Sequence, residues 1–187
     1  MDGLELKYHK CRFCKNNPYA KNGKRIVTNS KRYSSFYTDK KEKEEISRFW
    51  STTLNDLLNG SEKINTDDFF NAVEKLKEAM EKKAKGKIAH FSFYDALRSF
   101  SVALKYRWCD EKTASNYKEP PLCPLSEPVL GLVGDSIKDL DRDSITRENA
   151  EIIYAFLKKK AEEEDLSISQ WELKYFNLYQ AENHGLL

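Results

Sequence analysis

Nowhere does this 187-residue chain hold the roughly 20 consecutive apolar residues that a membrane-spanning helix needs, so no membrane partner is expected. Glycine and proline are scarce, 7 and 5 residues, which excludes collagen-like and low-complexity linker sequences. Histidine is scarcer still. His9, His90 and His184 are widely spaced and form no H-E-x-x-H pair, so the zinc-hydrolase signature is missing. Gly131 and Gly134 are followed by no Lys-Ser or Lys-Thr pair, and no G-x-S-x-G elbow occurs; phosphate loops and serine-hydrolase chemistry have no foothold. The first ten residues contain no apolar signal segment, and a cytoplasmic, intracellular setting is expected. Net charge is nearly absent as well, 32 basic residues against 30 acidic ones for +2.

What the chain does have is apolar substance. It is 40% hydrophobic and 12% aromatic, too rich for a disordered polymer. At about 150 residues per domain, it has the length for one domain or one domain with an appendage.

The near-zero charge is the remainder of two unlike parts. Residues 1–41 carry 11 basic and 3 acidic residues, a net +8; residues 42–187 carry 21 and 27, a net −6. The split defines a basic arm, 1–41, and a helical body, 42–187. The arm is rich in turn-forming residues, with Asn16-Asn17-Pro18, Asn22-Gly23 and Thr28-Asn29-Ser30. Ile26-Val27 after Asn22-Gly23 leaves room for a short hairpin. A loop-rich arm is expected, its aromatic residues interleaved with basic ones.

The body reads as helices. Apolar spacing of three and four residues predicts helices over 42–59, 66–85, 93–108, 147–163 and 169–182, with a shorter one within 129–140. Gly60 and Gly86 stand at C-terminal stops, and Asn65 or Thr66 and Ser92 at N-terminal caps. Ile145 is placed to staple the fifth helix, and Ser169 with Glu172 has capping-box spacing at the sixth. Four of the five prolines fall in 109–128, which predicts a structured loop interrupting the helices. The expected fold is mostly α: an irregular bundle of about six helices with a basic N-terminal arm pinned by a four-cysteine metal site.

That site is the most specific chemical expectation. Cys11-Arg12-Phe13-Cys14 is a C-x2-C knuckle, and Cys109 and Cys123 flank the proline-rich loop. Four thiolates suit zinc in tetrahedral geometry, and a structural zinc ion would tether an arm that has no core of its own. An iron–sulfur cluster would accept the same set.

The arm's charge points to an acidic partner. Lys10, Arg12, Lys15, Lys24, Arg25, Lys31 and Arg32 can neutralise phosphates, while Phe13, Tyr19 and Tyr33 offer flat rings to unpaired bases. The leading expectation is therefore a non-enzymatic, zinc-stabilised protein that contacts nucleic acid or a nucleoprotein through this arm. A second is a protein-interaction or inhibitor factor, a small accessory or phage-type protein, that meets a nucleic-acid-processing partner. A third is a metal-dependent nuclease built on Asp135, Asp139, Asp141, Asp143 and Glu148, with Glu172-x-Lys174 as an E-x-K pair. Ser144 stands where a calcium loop wants its turning glycine, and aspartates ahead of a helix also serve its dipole. The last two helices carry apolar residues beyond one stripe, Ile153, Tyr154, Phe156 and Leu157 on one and Trp171, Tyr175, Phe176 and Tyr179 on the other, which suggests a homodimer surface.

Overall fold

The computed structural model describes residues 1–16, 39–84, 91–110, 114–133 and 142–183. Among the described residues there are seven α-helices and no strand. They are α1 (Gly3–Asn16), α2 (Lys40–Leu58), α3 (Thr66–Ala84), α4 (Phe93–Cys109), α5 (Glu127–Val133), α6 (Arg147–Glu162) and α7 (Ile168–Asn183). Short 3-10 turns at Ser61–Lys63 and Arg142–Ser144 lie between them.

Local chemistry sets most of the boundaries. Asp39 caps α2 by accepting from the Lys41 amide at 2.6 Å, and Gly60 follows the helix in the left-handed region at φ 84°, where a side chain would be strained. Asn65, not Thr66, caps α3, accepting from the Asp68 amide at 2.9 Å. Ser92 accepts from the Asp95 amide at 3.1 Å to start α4. Thr146 and Asn149 close a reciprocal capping box at α6, with Ile145 buried beneath it. At α7 the box is Ser167 with Gln170, two residues earlier than the Ser169–Glu172 spacing predicts. Both pairs fit the template. Ser169 instead donates to the Pro120 carbonyl at 2.6 Å, and Glu172 turns into the core.

Helix α4 is the central element, with thirteen of its seventeen residues buried. Helices α1, α2 and α3 pack on it, and α7 packs against α1, α5 and α6. The rings interlock: Trp50 lies 4.9 Å from Phe91 and Phe69 lies 5.4 Å from Phe100, centroid to centroid. Each such fully buried side chain contributes roughly 1.5–3 kcal/mol. The proline-rich loop is bolted down by buried hydroxyls. Tyr94 donates to the Leu125 carbonyl at 2.8 Å, Tyr154 to that of Cys123 at 2.6 Å, and Tyr117 to that of Leu58 at 3.2 Å.

The beginning of the arm departs from the expected loop. Residues 3–16 form α1, because Leu6, His9, Lys10 and Phe13 repeat at helical spacing and lay one face on α4 and α7. The basic residues and turn dipeptides of 1–41 hide that stripe when composition is read alone. The hairpin expected around Asn22-Gly23 lies outside the described residues. The wide apolar faces of the last two helices serve the core: Ile153, Tyr154, Leu157 and Trp171 are buried, and Phe156, Tyr175 and Phe176 pack against them. Covered on several sides, α7 needs apolar residues beyond one stripe; Ile152, Leu178 and Tyr179 remain exposed. No described helix is long and apolar enough to cross a membrane.

Candidate nucleic-acid interface

Helix α1 has two faces with different work. Asp2 starts it, its carboxylate accepting from the amides of Leu4 at 2.9 Å and Glu5 at 2.8 Å. The inner face docks. Phe13 is 4% exposed, its ring 5.0 Å from Tyr106 of α4 and 5.8 Å from Phe176 of α7. Lys10 lays its ammonium 4.0 Å over the Trp108 ring, where burial lowers its pKa. His9 is buried too. Asn177 of α7 donates to its carbonyl at 2.9 Å and sits 3.3 Å from its Nδ1. Burial lowers the pKa of His9; Glu5 opposes that shift, while Lys174 and Arg12 add to it.

Beneath Phe13 lies a buried ion pair that the sequence pattern does not reveal. Lys105 of α4 donates to Glu172 of α7 at 2.6 Å, with side chains 4% and 1% exposed. The ammonium is held between two rings, 4.2 Å from the Phe13 centroid and 4.4 Å from that of Phe176. Glu172 Oε1 is buried without a hydrogen-bond partner. Burial raises the Glu172 carboxyl pKa, and Lys105 pulls it back. Docking of α1 thus covers a charged pair as well as apolar surface.

The outer face presents Leu4, Lys7, Tyr8 and Cys11, with Arg12 at its edge. Leu4 is 81% exposed and Tyr8 57%. Arg12 Nη1 donates to the Tyr8 hydroxyl at 2.7 Å, and the Tyr8 ring meets the His9 ring edge-on at 5.4 Å. The outer face thus carries an exposed ring with one guanidinium bonded to it, and an exposed lysine one residue earlier on the helix. No family model, no curated protein and no solved structure matches this chain.

The residues expected to make the contact divide. Arg12 is at the surface; Phe13 and Lys10 face inward, Phe13 as a core residue. Lys15 lies on α1, but its side chain is outside the described set, as are Tyr19, Lys24, Arg25, Lys31, Arg32 and Tyr33. Composition alone does not mark Tyr8 and Lys7, although the phase of Leu6, His9 and Phe13 places them outward.

The four-thiolate centre is not assembled. Among the described residues, no three His, Cys, Asp or Glu side chains are grouped to hold a metal ion. Cys11 is exposed on the outer face of α1, Cys14 is half-buried toward α4, and Cys109 and Cys123 are buried. Burial pushes the Cys109 thiol up to about 12, with Cys14 nearby adding to the shift, and raises that of Cys123. Packing of Phe13, His9 and Lys10 holds α1 to the body.

The nuclease residues are described only in part. Asp135, Asp139 and Asp141 lie outside the described residues; Asp143 sits in a 3-10 turn and Glu148 is exposed on α6. Glu172 is committed to Lys105, and Lys174 to Glu164 at 2.8 Å. A groove at the start of α6 is lined by Glu74, Lys77, Glu78 and Phe93 among others. Its cations already have partners: Arg147 reaches Glu74 at 3.2 Å and Glu151 at 3.0 Å, and Lys77 reaches Glu81 at 2.8 Å.

Proposed function

We propose that this protein is a non-enzymatic binding module that contacts nucleic acid through the outer face of α1 and the basic segment that follows it. One observation carries the reading. Lys7, Tyr8 and Arg12 are displayed on a helix whose other face is fixed to the body, in a stretch with no acidic residue between Glu5 and Asp39 and nine Lys or Arg. Each cation near a phosphate releases condensed counterions, so affinity for a polyanion must fall as salt rises. The acidic body, net −6, would turn away from the same ligand and orient it on the arm.

Fluorescence anisotropy with labelled oligonucleotides over a salt series tests this. Binding at low salt that weakens steeply with added salt is expected; no binding at low salt refutes it. A stable complex with an acidic protein, formed without nucleic acid, would support the accessory-factor reading instead. Structural zinc on Cys11, Cys14, Cys109 and Cys123 remains part of the proposal, carried by the chemistry of the four thiols. Elemental analysis of the purified protein tests for it directly: about one zinc per chain is expected, and none refutes it.

A further inference from the structure

We propose that Tyr8 is a stacking platform for an unpaired base, so that the nucleic acid taken by this interface is single-stranded. The inference rests on the nucleic-acid reading above and specifies its ligand. An exposed tyrosine on a helix ordinarily samples several rotamers and loses that freedom on binding. Tyr8 is held beforehand. Its hydroxyl accepts from Arg12, one helical turn on, at 2.7 Å, and its ring abuts the His9 ring edge-on at 5.4 Å and 71°. His9 is itself fixed by Asn177 of α7, so the ring orientation is referred to the body through two contacts.

The restraint does no evident packing work. The Arg12–Tyr8 bond joins two side chains of α1 and reaches no other helix, while the ring stays 57% exposed. What it achieves is a flat apolar surface kept open beside a fixed positive charge. Lys7 precedes it and the Arg12 guanidinium lies 6.0 Å from the ring centroid. Phosphates can sit on the cations while a base lies on the ring. In a duplex the base faces are already stacked on each other and cannot be offered to it, so the complementary ligand is a strand with unpaired bases.

The test uses the full chain and three labelled probes of equal length: an oligothymidylate, an abasic deoxyribose-phosphate oligomer, and a duplex. All three carry phosphates, and only the first presents free bases. The native protein is expected to bind oligothymidylate about tenfold more tightly than the abasic oligomer, the range that one base on one aromatic ring supplies. Tyr8→Ala should lose about that tenfold on oligothymidylate and leave the abasic oligomer unchanged. Tyr8→Phe keeps the ring and should retain most of the preference, while Lys7→Gln should weaken all three probes alike. Since Tyr8 is exposed, matching melting curves will show that the variants fold. Equal affinity for oligothymidylate and the abasic oligomer, duplex binding as tight as single-strand binding, or an unaffected Tyr8→Ala protein would overturn the inference and leave anion binding standing. Failure of every probe to bind at low salt overturns the underlying reading as well.

Discussion

Replacing Lys105 by methionine is the sharpest probe of how α1, α4 and α7 are held together. At the 2.6 Å separation, attraction between Lys105 and Glu172 is about 6 kcal/mol for an effective dielectric near 20. Removing two ions from water costs several kcal/mol each, so the pair as a whole contributes little net stability. Breaking it is different. Lys105→Met leaves Glu172 1% exposed with neither carboxylate oxygen satisfied, a situation that costs about 3–5 kcal/mol. The cost must depend on pH. Burial already raises the Glu172 pKa, and Lys105 is what lowers it; without the lysine it rises further above its unfolded value. Between those two values the folded state binds more protons than the unfolded one, so stability falls as pH rises through the window and recovers below it. The double variant Lys105→Met, Glu172→Leu removes both charges and should return to within about 1 kcal/mol of the native protein, or exceed it. Urea unfolding followed by tryptophan fluorescence at several pH values measures all four corners of this cycle. A single variant within about 0.5 kcal/mol of native at neutral pH, or a penalty flat across pH, would refute the buried-pair account.

Two more outcomes follow from α1 docking and the thiols. His9 has its pKa lowered mainly by burial, so its neutral form favours the docked state; stability present above its unfolded value of about 6.5 is lost as pH falls through the lower folded value. Amide exchange of residues 3–16 should accelerate over that range, and His9→Gln should flatten the response; an unchanged native profile would contradict it. Titration with an aromatic disulfide reagent should modify Cys11 rapidly and leave Cys109 and Cys123 protected until the protein unfolds, since both are buried with raised pKa values. Immediate reaction of all four thiols would place the buried pair elsewhere.

Much of the fold is legible along the chain. The stripe of Ile46, Trp50, Leu54 and Leu58 marks α2 by spacing alone, and Asp39, Ser92 and Thr146 start helices within two residues of where the apolar pattern places them. These are local facts: a helix is fixed by spacing within a few turns and by side chains that reach the nearest free amides. The candidate interface is legible only in part. Its charge is plain from the +8 of residues 1–41, but composition points to Phe13 rather than Tyr8 as the outward ring, because the turn residues of the arm conceal the helical phase of α1.

By itself, then, the amino-acid order determined a mostly helical body, most of the described helix ends and a basic N-terminal region, since each follows from residues close together in the chain. The tertiary structure decided the rest. It turned Phe13 inward and Tyr8 outward, gave Glu172 to Lys105 67 positions away instead of to a helix cap, and joined Asn177 to His9 across 168 positions. It also left Cys11 at the surface and Cys123 in the core, so that four thiols that suit one ion do not meet. Partners so distant in sequence are chosen by which faces pack together, and no local spacing rule contains that information.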